Sequence, residues 1–229
     1  MEGHVGYYAV FTVLALLEII SAGIAITISA KTIGLARKIR DKGLLRLGIG
    51  YAVMSVALII GFAASLIALL YPANPVLMLE ERREHMAWHH PEEWRHGPWP
   101  GDRFGVSWNL VLLAGIFFPI SYAVILYGLS SEYVRFEEGG RNTEKYLGML
   151  IAPGLLTGIV SDMFSIGILI GIVVVARKGG GGTAPYIVFL AAHILRLAGE
   201  AAATPILFLI GEMLRPVALL IVLGRVMLR

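Results

Sequence analysis

Seven ionisable side chains stand inside apolar stretches of this chain, where each could do chemistry: Glu18, Asp162, His193, Arg196, Glu200, Glu212 and Arg215. His193, Arg196 and Glu200 belong to one run, and their spacings of three and four put them on one face of a helix. A charge at membrane depth costs about 2.5–3.5 kcal/mol on insertion scales, so such groups turn toward protein and find partners there. Four carboxylates face two guanidiniums, an excess of negative charge that a proton on His193 would reduce.

Two kinds of chemistry follow. A buried acid without a full partner can exchange protons or hold a cation, and Glu18 and Asp162 are the pair expected to titrate along a path through the protein. Alternatively, salt bridges such as Arg196 with Glu200 and Glu212 with Arg215 fix the packing of helices and move nothing. Arg196 should bond a carboxylate in either case, with Glu200 one turn along its own helix and Asp162 or Glu18 across the bundle as candidates. His193 is expected to hydrogen-bond a carboxylate. It is the sole histidine within an apolar span, so this chain cannot offer two axial histidines to a haem.

A second group lies in polar sequence. Glu81, His85, His89 and Glu93 recur at spacing four, with His90 adjacent, and imidazole plus carboxylate on one helical face is compatible with a divalent metal. Pro91 interrupts that face, and Trp88, Trp94 and Trp99 suit a helix lying at the headgroup level. Interfacial anchoring is therefore the expectation, ahead of metal binding. The absence of cysteine excludes disulfides, thiolate metal sites and thiol catalysis. The four glycines at 179–182 lack the lysine and hydroxyl residue of a phosphate loop. No nucleophile–base motif appears, so the reading leans away from an enzyme and calls for no cofactor.

The elements that must position these groups are membrane helices. With 57% hydrophobic and 15% charged residues and a mean hydropathy of +0.77, the chain reads as an all-α, polytopic integral membrane protein of the cell membrane. Crossing the hydrocarbon core takes about 20 apolar residues. That criterion gives six spans at 5–30, 47–71, 104–130, 146–176, 185–203 and 205–228, with a His- and Trp-rich loop at 72–103. The last two are divided near Ala203-Thr204-Pro205, because one helix over both would be about twice the core thickness; the rival reading makes Pro205 a kink and breaks the run at Arg215-Pro216.

Lys31, Arg37, Lys38, Arg40, Lys42 and Arg46 assign the first connector to the cytoplasm. The 72–103 loop is then outside, and an even number of spans returns the C-terminus outside too, although Arg225 and Arg229 point the other way. Glu18, Asp162, Arg196 and Arg215 should lie near mid-depth, with Glu200 and Glu212 about one turn nearer the cytoplasm. Glu18, Ser21, Gly23 and Ile24 of the first span echo Asp162, Ser165, Gly167 and Ile168 of the fourth. Tyr51 and Tyr186 open the next span of each half, and Pro119 and Pro216 lie inside the third and sixth. Three spans per half would oppose the halves, so the pattern fits a 3+3 inverted repeat.

The stretch 43–51 resembles hairpins of multi-span archaeal membrane proteins, some of them sensor modules, but the likeness carries no functional motif. The expected partners are the lipid bilayer and a second copy or another membrane subunit. The small net charge of +3, carried mostly in loops, does not call for nucleic acid. Two function classes remain: a non-catalytic membrane module acting as subunit, anchor or signal-receiving unit, and a small carrier or channel for a proton or cation. The first expects paired acids, the second a water-reachable acid at mid-depth.

Overall fold

The structure, a computed structural model, describes residues 2–70, 100–134, 158–178, 182–202 and 204–228. Six helices and no strand occur among them: α1 (Glu2–Ile39), α2 (Lys42–Leu70), α3 (Pro100–Val134), α4 (Gly158–Lys178), α5 (Ala184–Ala201) and α6 (Pro205–Met227). Each contains a segment long and apolar enough to cross a membrane, with mean hydropathy from 2.6 in α2 down to 1.2 in α5.

Local chemistry explains the turns. Arg40 adopts a left-handed φ of 55°, which ends α1, and Asp41 accepts hydrogen bonds from the backbone N–H groups of Gly43 (2.7 Å) and Leu44 (3.1 Å). That side chain thereby caps α2, so the basic connector expected at 31–46 is helical except at its tip. Between α5 and α6, the N–H of Thr204 reaches the Gly199 carbonyl at 2.8 Å and Pro205 opens the next helix. Proline is tolerated there because the first N–H groups of a helix have no intrahelical partner.

Each helix packs on its neighbours in sequence, and α6 closes the circle by packing on α1. Small residues set the closest approaches. At Gly50, an added Cβ would lie 3.1 Å from the Ser121 carbonyl oxygen, and at Gly128 it would lie 2.9 Å from the Leu47 nitrogen. The interior is filled by Tyr51, Met54, Tyr122, Phe189 and Leu219, while Leu16, Ile59, Met163, Ile170, Ile194 and Leu220 lie exposed on the outside. That outward apolar dress suits lipid, since the helices satisfy their own backbone groups.

The directions of the helices are read from these contacts. Gly43 lies against Gly128 and Gly50 against Ile125, so α2 and α3 are antiparallel. Gly115, however, lies against Ser161 and Leu126 against Gly171, so α3 and α4 run the same way. Thus α1, α3, α4 and α6 point in one direction and α2 and α5 in the other. Val134 and Gly158 consequently sit at opposite ends of the bundle.

One end gathers Arg37, Lys38, Arg40, Lys42, Arg46, Arg177, Lys178 and Arg225, and there Arg225 Nη1 donates to the Gly182 carbonyl at 2.5 Å. We call it the basic end. Two expectations are corrected by this arrangement. The end of α6 lies beside the α1–α2 turn and not opposite it. The inverted repeat is not seen either, because α4, α5 and α6 run in the same directions as α1, α2 and α3.

Candidate functional site

α4, α5 and α6 bring the intramembrane charges together. Gly199 and Gly211 make this approach close: a Cβ on Gly211 would come within 2.7 Å of the Ala192 carbonyl oxygen, and one on Gly199 within 2.6 Å of the Phe208 nitrogen. With the backbones so near, Arg196 Nη1 donates to Glu212 Oε1 at 2.5 Å. The other oxygen of Glu212 accepts from Arg215 Nη1 at 2.9 Å, so one carboxylate bridges two guanidiniums. Arg196 also lies 3.3 Å from Asp162 through Nε and 3.6 Å from Glu200 through Nη2.

Asp162 makes a second connection. Its Oδ1 is 2.6 Å from His193 Nδ1, and His193 Nε2 is 3.0 Å from the Tyr122 hydroxyl on α3. One neutral tautomer satisfies the chain of three: Nδ1–H donates to Asp162 and Nε2 accepts from Tyr122. The imidazole is boxed by aromatic edges, T-shaped to Tyr122 and Phe118, and Arg215 lies 4.4 Å above the Phe118 ring. Arg196 lies 5.0 Å from the Phe208 ring. Such stacking suits guanidinium, which is weakly hydrated and planar.

Asp162, His193, Glu212 and Arg215 are each at most 4 % exposed. The two acids there meet two arginines, Arg196 and Arg215, so the innermost set is electrically balanced. Glu200 is peripheral, its side chain 25 % exposed. It and Glu212 lie a turn farther from the basic end than their arginines, the reverse of the depth expected, because α5 and α6 run opposite to the assumed directions.

Glu18 stands apart from this cluster. Its Oε2 accepts a hydrogen bond from Ser65 Oγ at 2.8 Å, and its carboxylate lies over Gly61. Among the described residues it makes no ion pair. The two acids paired by the sequence echo therefore have different surroundings.

Several donors of the cluster remain unused. The Nε and Nη2 atoms of Arg215 and Nε of Arg196 are buried without a hydrogen bond. Ser161 on α4 donates instead to the Gly115 carbonyl of α3. Tyr122, Ser65, Gly61 and Phe118 were not singled out by sequence. Only Tyr122 carried a signal there, a phenol deep in an apolar span.

The suggested metal group of Glu81, His85, His89 and His90 lies outside the described residues. Among the described residues no cluster of three or more histidine or carboxylate side chains is arranged to hold a metal. No family model, curated protein or solved structure matches this chain.

Proposed function

We propose that this chain is a non-catalytic membrane module, a subunit, anchor or signal-receiving unit, whose helices α3 to α6 are held in one arrangement by the buried ion cluster. The observation behind this reading is the closure of that cluster. Asp162, Arg196, Glu212 and Arg215 each have an opposite charge within 3.3 Å, and the set is balanced. A carrier depends on a charge that changes partner during its cycle, whereas here removing any one of the four leaves the buried set with a net charge. Breaking such a pair costs about 3–5 kcal/mol, which favours a fixed assembly. The module belongs in the cell membrane with its basic end in the cytoplasm. Its expected partner is a second copy or another membrane subunit.

Proteoliposomes provide the test. The purified full chain should dissipate an imposed pH or sodium gradient no faster than protein-free vesicles. Glu212→Gln/Arg215→Met, which removes one charge of each sign, should behave alike. Gradient loss that requires the protein and vanishes in folded Glu18→Gln would favour the carrier. That second reading draws on Glu18, an acid within a span without an ionic partner among the described residues.

A further inference from the structure

The helix directions give the internal echo a new meaning. Because α1–α3 run as α4–α6 do, the echo relates two three-helix units of the same orientation by an axis along the bundle. Glu18 aligns with Asp162, Tyr51 with Tyr186, and Pro119 with Pro216. Three separate features agree with this alignment. Ser21 and Ser165, Ile28 and Ile172, and Ala57 and Ala192 are matched pairs, and none of these residues is more than 1 % exposed. Matched residues also meet each other across the middle: Tyr51 contacts Tyr186, and Arg215 stacks on Phe118 at 4.4 Å, each just before its aligned proline. Lastly, Glu18 lies on Gly61, ten residues after Tyr51, and Asp162 lies on Arg196, ten residues after Tyr186.

The units differ in charge. Where the second has Arg196 and Glu200, the first has Gly61 and Ser65, and His193 is matched by Leu58. The first unit has thus kept the acid and lacks its cations. A Cβ at Gly61 would lie 2.5 Å from Glu18 Oε1, so the carboxylate rests directly on bare helix backbone. Ser65 is the polar side chain that α2 offers it. The charges that act on it from the other helices are Glu212 and Arg215 on α6 and Arg196 on α5, which are engaged with one another. Unlike Asp162, Glu18 is partly exposed.

We propose that Glu18, lying over Gly61 and beside Ser65, is a site for a small exchangeable cation, a proton or a sodium-like ion. It would take from solution the positive charge that Arg196 gives Asp162. A proton binds by forming an O–H bond on the carboxylate and leaves to water, and a metal ion binds without covalent change. The site does not require that the protein transports anything.

The full-length protein in lipid nanodiscs provides the test. Its melting temperature is followed against pH at fixed ionic strength, and in sodium chloride against choline chloride at fixed pH. The reading is the difference between wild type and Glu18→Gln, because other groups titrate in both. Glu18→Gln should lose a pH-dependent or sodium-dependent shift that the wild type shows. Gly61→Arg should lose the same shift, since it supplies the guanidinium internally, and it serves if Glu18→Gln does not fold. A pH effect alone identifies the proton, and a sodium effect at fixed pH identifies the metal ion. The proposal is overturned if the wild type shows no shift, or if the folded variants keep it. Neither outcome bears on the vesicle experiment, which reads gradient loss and not stability.

Discussion

Tyr122, His193 and Asp162 show how much one histidine depends on its two neighbours. The ring is 1 % exposed, so Nε2 has the Tyr122 hydroxyl or nothing. Tyr122→Phe keeps the aromatic packing and removes only that oxygen. The variant should be less stable by about 1–3 kcal/mol, the cost of leaving a buried polar atom unsatisfied. A thermal melt in detergent measures it, and an unchanged melting temperature would mean that Nε2 finds another donor. At this scale the charges themselves were plain in the sequence, since an ionisable residue in an apolar run is conspicuous. Their partners were only partly so. Arg196 with Glu200 and Arg215 with Glu212 follow from helical spacing alone. Asp162 with His193 and Arg196 with Glu212 depend on how α4, α5 and α6 stand beside one another, which no spacing within one helix encodes.

Glycines separate the helices into those that must touch and those that need not. An added Cβ at Gly128 would meet backbone, the Leu47 nitrogen at 2.9 Å and the Gly43 oxygen at 3.0 Å, whereas at Gly224 it would meet nothing within 4 Å. Gly128→Ala should push α3 off α2 and lower stability by about 1–3 kcal/mol, the usual range for overpacking. Gly224→Ala should be neutral or stabilising by up to about 1 kcal/mol, because alanine is the better helix former. Paired thermal melts of the two variants decide the matter, and equal effects would contradict the packing described. In the sequence these glycines look alike. Helix existence was legible because twenty apolar residues have few alternatives in lipid, but the face that a glycine presents depends on the neighbouring helix.

At the scale of the whole molecule, the apolar helices found among the described residues could be read from the sequence but their sense could not. Counting spans assumes that each successive helix reverses direction, and α3 and α4 do not. The basic residue Arg225 was the signal that pointed the other way, and it does lie with Lys42 and Lys178 at one end. The cysteine-free chain allows a direct check. Single cysteines at positions 42, 178 and 228 should react alike with a membrane-impermeant maleimide in intact cells. Reaction at 228 but not at 42 would refute the parallel placement of α3 and α4.

Biosynthesis makes a further demand on this arrangement. α5 has the lowest hydropathy of the six helices, 1.2, and it emerges from the ribosome with Arg196 and Glu200 before Glu212 has been made. A central charge costs about 2.5–3.5 kcal/mol on the translocon scale, and Arg196 has only the peripheral Glu200, 3.6 Å away, as a partner within α5, so α5 alone is poorly held in lipid. The short turn into α6 delivers Glu212 almost at once, and α4 has already delivered Asp162. The hairpin of α5 and α6 thus carries two acids and two arginines, apart from Arg225 at the basic end, and this set can leave the translocon without net charge before the hairpin docks on α4.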